Sequence, residues 1–303
     1  MKRAKTVIEE GYIPYLGYKT YYRTVKGGKR TPLLLLHGGP GSTHNYFETL
    51  DRLADESGRD VISYDQLGCG NSYIDGVPGL WRMETWLGEL ETVRCALGLE
   101  RVFILGQSWG GMLLLEYVCR RDPRGVAGIV LSSTLPSSRL WGLEQLRLIS
   151  QLPEDERRAI ETALSSGDFS AKECKKAVAH YMALHCSSPS PGDPECVRRP
   201  KRTGTESYVT AWGPNEFTPS GTLSDYDVTE LLPGIRIPAL IISGGSDLCT
   251  PYIAKTMYDA IPGARWELFR ECRHMCFVED NERYVSVLKD WMRGTEAENE
   301  NTQ

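Results

Sequence analysis

RVFILGQSWGGM, residues 101–112, is the stretch that decides the fold. It opens with a continuous apolar run, which is typical of a strand buried on both faces, and a helical pattern follows the glycines. Between the two, Gly106, Ser108 and Gly110 form the pattern G-x-S-x-G, which marks a sharp turn from strand to helix. Small residues are needed beside such a turn because backbone passes close to backbone. We therefore predict Ser108 to be a nucleophile at the end of a central strand.

Similar apolar runs occur on both sides of this segment, with helical patterns between them. This alternation predicts a mostly parallel, doubly wound α/β sheet with helices on both faces. A segment rich in Tyr and Thr, residues 11–25, predicts an antiparallel hairpin before it. The predicted parallel strands are residues 32–36, 61–64, 101–105, 126–132, 238–243 and 265–269.

The middle of the chain breaks the alternation. Amphipathic helices are predicted for residues 140–152, 154–165 and 171–184, and a loop rich in Pro and Ser for residues 187–202. We predict a helical cap (lid), residues 135–223, inserted into a core of residues 1–134 and 224–293. Extra helices packed at one edge of the sheet are the alternative. The polar tail, residues 294–303, is predicted to be disordered.

Partners for Ser108 follow it in chain order. An acid and then a histidine are expected at later strand ends, and Asp247 and His274 lie there. His274 would take the proton of Ser108, and Asp247 would orient and stabilise the imidazole ring. Glu271 and Asp227 are rival acids, but neither follows a strand as directly.

A glycine-rich turn, HGGPGS (residues 37–42), follows the first predicted parallel strand. Acyl transfer needs N–H groups aimed at the oxygen that becomes negatively charged. We expect the backbone N–H groups of Gly39 and Trp109 to form this oxyanion hole, with Gly38 as the alternative to Gly39.

Charge and composition exclude several classes of function. The chain has 35 basic and 40 acidic residues, a net charge of −5, so no basic excess attracts nucleic acid or an anionic membrane. Glu9 and Glu10 interrupt the N-terminus before any apolar stretch forms, and no apolar run approaches the roughly 20 residues of a membrane span. The expected location is the cytoplasm. The nine cysteines are scattered, and Cys272 and Cys276 beside His274 lack the further ligands of a zinc site. We expect no metal and no cofactor.

Four segments together resemble the proline iminopeptidases, in the branch that includes tricorn-interacting aminopeptidases and amino-acid amidases. They are HGGPGSTHNYF (37–47), SYDQLGCGNS (63–72), GQSWGGM (106–112) and ECRHMCF (271–277). The resemblance implies an α/β-hydrolase fold with an inserted helical lid. It also implies release of an N-terminal residue, proline or a small apolar one, from short peptides or amino-acid amides through an acyl-enzyme. It gives no expectation for the oligomeric state.

The resemblance also assigns substrate-binding residues. Such enzymes hold the free ammonium of the substrate with glutamates, and Glu216 in GPNEFT (213–218) matches one of them. A second family glutamate follows the triad aspartate, but this chain has Leu248 there. The alternative function is therefore a specialised esterase or amidase for a small non-peptide metabolite.

Aromatic side chains would complete the substrate pocket. Tyr73 and Trp212, with Phe47 and Trp109, are expected to offer an apolar surface for a proline ring, although each could equally be core. Asp65 and Gln66, after the second parallel strand, are expected to support the oxyanion turn.

Overall fold

An eight-stranded sheet forms the centre of the computed structural model, which describes residues 7–188 and 190–301. The strand order is β1-β2-β4-β3-β5-β6-β7-β8. The strands are β1 Val7–Tyr15, β2 Tyr18–Lys26, β3 Arg30–Leu36, β4 Arg59–Tyr64, β5 Val102–Gln107, β6 Val126–Ser132, β7 Ala239–Gly244 and β8 Arg265–Phe269.

The predicted hairpin and parallel strands are confirmed. β1 pairs with β2 and β2 with β4 in antiparallel register, whereas all pairs from β4 to β8 are parallel. Parallel strands end at the same edge of a sheet. The loops that follow β3, β5, β7 and β8, which carry the candidate site residues, therefore start from one edge.

Helices cover both faces of the sheet, so most strand residues are buried on both sides. Along β3, Leu34 and Leu36 belong to one apolar core, and Leu33 and Leu35 belong to the other. The α-helices are α1 Arg52–Ser57, α2 Met83–Ala96, α3 Trp109–Arg120, α4 Ser138–Ile149, α5 Glu154–Ser166, α6 Lys172–His185, α7 Glu195–Arg198, α8 Thr205–Ala211, α9 Pro251–Ala260, α10 Cys276–Glu279 and α11 Asn281–Asn301. Short 3-10 helices are His44–Leu50, Gly70–Ser72, Pro78–Leu80 and Thr229–Gly234.

Helices α4 to α8 lie in the segment predicted as a cap, between β6 and β7. Hydrogen bonds join this segment to the loops after β3 and β7. Gly204 N–H donates to the carbonyl of Gly41 at 2.8 Å, and Leu248 N–H donates to the carbonyl of His185 at 3.1 Å. The segment therefore covers the edge where the candidate site residues lie. Its role as a lid stays a prediction.

The predicted disorder of the tail is wrong for residues 294–301, because α11 continues to Asn301. Polar composition suggested a solvated tail, but Thr295 is buried. Glu296 accepts hydrogen bonds from both terminal nitrogens of Arg59 at 3.2 Å. The Arg59 side chain is only 1% exposed, so the end of the helix neutralises a buried charge. Residues 302–303 lie outside the described residues.

No helix in the described ranges is long and apolar enough to cross a membrane.

Candidate active site

Ser108 lies at the turn between β5 and α3. It has φ 55° and ψ −122°, a positive φ that is unusual for a residue with a side chain. The neighbouring glycines make the turn possible. A Cβ on Gly106 would overlap the carbonyl oxygen of Gly110, and a Cβ on Gly110 would overlap that of Leu36. Strained backbone at such a turn is typical of a functional residue, and it holds Ser108 at the N-terminus of α3.

Asp247 and His274 meet beyond the ends of β7 and β8. His274 Nδ1 lies 2.7 Å from Asp247 Oδ1. The carboxylate also accepts hydrogen bonds from the N–H groups of Cys249 at 2.8 Å and Gly244 at 3.2 Å. Asp247 is 1% exposed and His274 is 5% exposed. With the proton of the neutral ring on Nδ1, Nε2 is left to accept a proton.

The charge of Asp247 decides the basicity of His274. Burial by itself lowers the pKa of His274, but the charge of Asp247 and the hydrogen bond to it outweigh burial. The net pKa of His274 is raised above 6.5. A carboxylate beside an imidazole stabilises the imidazolium form, which a general base must adopt during proton transfer.

The turn after β3 leaves one clear pair of candidate oxyanion donors. Gly38 N–H donates to the hydroxyl of Tyr46 at 2.6 Å, so it is already satisfied. Within residues 7–188 and 190–301, the N–H groups of Gly39 and Trp109 donate to no protein acceptor. Gly39 has φ 120°, and Trp109 is the first residue of α3, where helical N–H groups have no partner in the helix. Gly39 and Trp109 therefore fit the expected role better than Gly38.

Residues after β4 support this turn, as expected. Asp65 accepts hydrogen bonds from the backbone N–H of His44 at 2.9 Å and from its ring Nδ1 at 2.7 Å. Gln66 donates to the carbonyl of His37 at 2.9 Å and accepts from the indole N–H of Trp109 at 2.7 Å. The Gln66 side chain thus links the turn after β3 to the start of α3.

A cavity of about 250 Å³ brings most of the predicted residues together. Ser108, His274, Glu216 and Leu248 line it, and so does the glycine turn after β3. The volume suits a ligand of a few residues at most. The catalytic roles of Ser108, Asp247 and His274 stay predictions.

Glu216 provides the negative charge in the cavity. Its Oε2 accepts a hydrogen bond from the Tyr208 hydroxyl at 2.6 Å. Burial raises the pKa of Glu216, and the hydrogen bond from Tyr208 only partly opposes this rise. In the part of the chain that the structure describes, no Lys or Arg pairs with Glu216. Its ionised form would be stabilised by a bound cation.

Leu248 lies on the same cavity and is 2% exposed. At this position the chain presents an apolar side chain, and residues 248–250, which follow Asp247, include no acidic residue. The side of the cavity that Glu216 lines therefore combines a carboxylate with the apolar side chain of Leu248.

None of the four aromatic residues predicted for the pocket, Tyr73, Trp212, Phe47 and Trp109, is among those lining this cavity. Trp212 is 4% exposed and packs edge to face on Trp141, and its indole N–H donates to the carbonyl of Glu216 at 3.3 Å. Tyr73 donates to Asp75 at 2.9 Å and lies under the guanidinium of Arg202. Trp212 thus bonds to the backbone of Glu216, and Tyr73 packs within the loop after β4 and against Arg202. Their roles in substrate binding stay predictions.

One cluster resembles a metal site by composition. Asp247, Cys249 and His274 offer three ligand atoms within 4.8 Å of one another. The Cys249 thiol donates to the carbonyl of Ser133 at 3.0 Å, and burial raises its pKa well above the usual value. A thiol must lose its proton to bind zinc, and a zinc site needs a fourth ligand. The donor set fits an acid–histidine pair better than a zinc site.

Sequence reasoning missed several residues that line the cavity, Tyr46, Tyr208 and Lys201 among them. Tyr46 lies in the quoted segment HGGPGSTHNYF, Tyr208 in the helix before GPNEFT, and Lys201 in the Pro/Ser-rich loop. No local pattern distinguishes them from core or surface residues, because each reaches the cavity through contacts between distant segments.

Comparisons with known proteins agree with this geometry. The family model of the alpha/beta hydrolase fold matches residues 31–281. The chain is 52% identical over 293 residues to a proline iminopeptidase of Clostridioides difficile (strain 630), covering 95% of this chain and 99% of that one. It is 54% identical over 288 residues to one from Clostridium botulinum, covering 94% and 98%. The crystal structure of a proline iminopeptidase from Mycobacterium smegmatis matches with a TM-score of 0.86 and 32% identity, covering 95% of this chain and 99% of that chain. The chain belongs to the proline iminopeptidase family of α/β-hydrolases.

Proposed function

We propose that this protein is a serine hydrolase that releases an N-terminal proline, or a small apolar residue, from short peptides and amino-acid amides. One observation carries the proposal. Three residues line the same small cavity: Ser108, His274 and Glu216. His274 is paired with the buried Asp247, and Glu216 has no basic partner in the described residues. The names of the relatives support the preference for proline.

The reaction proceeds in two halves. Ser108 Oγ attacks the carbonyl carbon of the N-terminal residue while His274 Nε2 takes the hydroxyl proton. The carbonyl oxygen becomes negative and accepts hydrogen bonds from the N–H groups of Gly39 and Trp109. The C–N bond breaks, the leaving amine takes the proton from His274, and an acyl-enzyme remains. Water, deprotonated by His274, then releases the free amino acid and restores Ser108.

Glu216 selects substrates that begin with a free amine. The substrate ammonium would form a charge-assisted hydrogen bond with this carboxylate, next to the apolar surface of Leu248. A single carboxylate accepts from only some of the three N–H donors of a primary ammonium. The secondary ammonium of an N-terminal proline has only two N–H donors. One carboxylate thus matches an N-terminal proline better than a primary amine.

A kinetic comparison tests the proposal. Purified protein is assayed with proline p-nitroanilide, alanine p-nitroanilide, their N-acetylated forms and p-nitrophenyl butyrate, with Ser108→Ala as the inactive control. We expect the proline substrate to be preferred. Acetylation should lower kcat/KM about tenfold to a hundredfold, because a charge-assisted hydrogen bond contributes about 1.5–3 kcal/mol.

Glu216→Gln sharpens the test, because glutamine keeps the size of the side chain and a hydrogen bond to Tyr208. We expect it to reduce kcat/KM for proline p-nitroanilide much more than for the butyrate ester, which carries no amine. Equal or faster turnover of the acetylated amides by the wild-type protein would contradict the amine requirement. That result would favour the alternative, a metabolite esterase or amidase, which the relatives do not favour.

A further inference from the structure

Lys201 brings a positive charge to the cavity that the reaction described above does not use. Its side chain lines the cavity together with Ser108 and His274. Within the described ranges it forms no ion pair with a carboxylate. Nearby protein atoms lower the pKa of Lys201 by desolvation, although the residue as a whole is exposed to solvent. An unpaired ammonium at the mouth of a cavity can form a charge-assisted hydrogen bond with a carboxylate that enters it.

The loop that carries Lys201 is fixed to the core on both sides. Before it, Arg199 donates to the carboxylate of Glu48 at 2.9 and 3.2 Å. After it, Gly204 N–H donates to the carbonyl of Gly41 at 2.8 Å. The backbone at Lys201 is therefore held beside the cavity, which lowers the entropy that the loop loses when a ligand binds.

Lys201 and Glu216 contact different residues of the cavity. The ammonium of Lys201 lies 5.6 Å from the ring centre of Tyr46, and the Tyr46 hydroxyl bonds to Gly38 in the oxyanion turn. Glu216 is held instead by Tyr208. A substrate with an ammonium at one end and a carboxylate at the other matches both charges.

We propose that Lys201 binds the C-terminal carboxylate of the leaving group, which makes dipeptides with a free C-terminus the preferred substrates. The inference rests on the proposed function. If Glu216 holds the N-terminal amine, everything beyond the scissile bond belongs to the leaving group, and a cation away from Glu216 meets that part. In a dipeptide a single carbon separates the carboxylate from the scissile nitrogen, so this carboxylate stays near Ser108.

The test measures a ratio within each enzyme. The kcat/KM for prolyl-glycine is divided by that for prolyl-glycinamide, which has the same shape without the negative charge. We expect a ratio of about ten in the wild-type protein, falling towards one in Lys201→Met. Lys201→Arg should retain most of the ratio because it keeps the charge. Lys29→Met, which removes an exposed lysine at the other edge of the sheet, is the matched control and should leave the ratio unchanged.

The outcomes separate this inference from the proposed function. Because each enzyme is its own reference, general damage to catalysis cancels in the ratio. A wild-type ratio near one, or the same ratio in Lys201→Met, overturns the inference while activity on proline p-nitroanilide still supports the proposed function. Absence of activity on every proline substrate overturns both. Prolyl-glutamate α-amide carries its only carboxylate on the side chain, and prolyl-glutamine α-amide is its neutral counterpart. If the acidic member of this pair is preferred more strongly than prolyl-glycine is preferred over prolyl-glycinamide, Lys201 binds a side-chain carboxylate and the C-terminal assignment is overturned.

Discussion

Replacing Tyr46 by phenylalanine tests the hydrogen bonds that hold the oxyanion turn. The Tyr46 hydroxyl accepts from Gly38 N–H at 2.6 Å and donates to Gln107 Oε1 at 2.9 Å. The side chain is 3% exposed and its ring packs against Phe47. Phenylalanine keeps the ring, including the surface under Lys201, and removes only the hydroxyl.

The magnitude follows from the two partners that are left behind. An unsatisfied buried donor or acceptor costs about 1–3 kcal/mol. Because Tyr46 borders the cavity, water can replace part of the lost bonding, so we expect the free energy of unfolding to fall by about 2–4 kcal/mol. Gly39 lies next to the freed N–H of Gly38. Its displacement should lower kcat on proline p-nitroanilide about tenfold. This is less than the roughly hundredfold to thousandfold loss that follows removal of one oxyanion donor.

Urea unfolding at pH 7 and steady-state kinetics measure both effects. The control is Tyr64→Phe, because the Tyr64 hydroxyl is fully buried and has no hydrogen-bond partner in the described residues. Its removal should change the free energy of unfolding by no more than about 0.5 kcal/mol, or should stabilise the protein. Equal losses in the two variants, or an unchanged kcat in Tyr46→Phe, would refute the role given to the Tyr46 hydroxyl.

Three further predictions concern charge. Since the pKa of His274 is raised above 6.5 and only the neutral ring accepts a proton, kcat/KM should increase with pH through a midpoint above 6.5. Asp247→Asn should lower the pH of that midpoint in a pH–rate profile. An unmoved midpoint would contradict this reasoning. Burial raises the pKa of Glu89 to about 8, so the folded protein keeps a proton that the unfolded chain loses near its usual pKa. The free energy of unfolding should therefore fall between pH 5 and 8, by at most about 1.4 kcal/mol per pH unit from this group, and Glu89→Gln should remove that contribution in urea titrations at each pH. Glu296→Gln leaves the buried Arg59 without its charge partner and should lower the free energy of unfolding by about 1–3 kcal/mol; an unchanged urea midpoint would show that the end of α11 contributes nothing.

The strands could be predicted because each is a short apolar run with no competing pattern. β6 was predicted with its observed bounds, and β3 and β5 within two residues of theirs. Parallel strands buried on both faces need Val, Ile and Leu at consecutive positions, and that requirement is local in sequence. The meeting of Asp247 with His274 could also be expected, since both follow strands that end at the same edge of the sheet.

The aromatic pocket was harder to predict because apolar side chains serve the core and a cavity equally well. Trp212 has the composition of a pocket residue, but its ring packs on Trp141 and only its indole N–H acts near the site, on the carbonyl of Glu216. The tail failed for the opposite reason. Its residues are polar, yet Glu296 is needed by an arginine far away in sequence, and no local pattern reveals that partner.

The same division separates the proposed reactive groups from the groups that are proposed to select the substrate. Ser108 and His274 lie where strand ends place them, so their positions depend on the sheet and tolerate change elsewhere. Tyr46, Tyr208 and Lys201 reach the cavity from other segments, two of them from the part of the chain between β6 and β7. A substitution there changes the charge or shape of the cavity without disturbing the strand ends. We therefore expect substitutions at Leu248 and Lys201 to change the preference for one end of a peptide while Ser108 and His274 keep their positions.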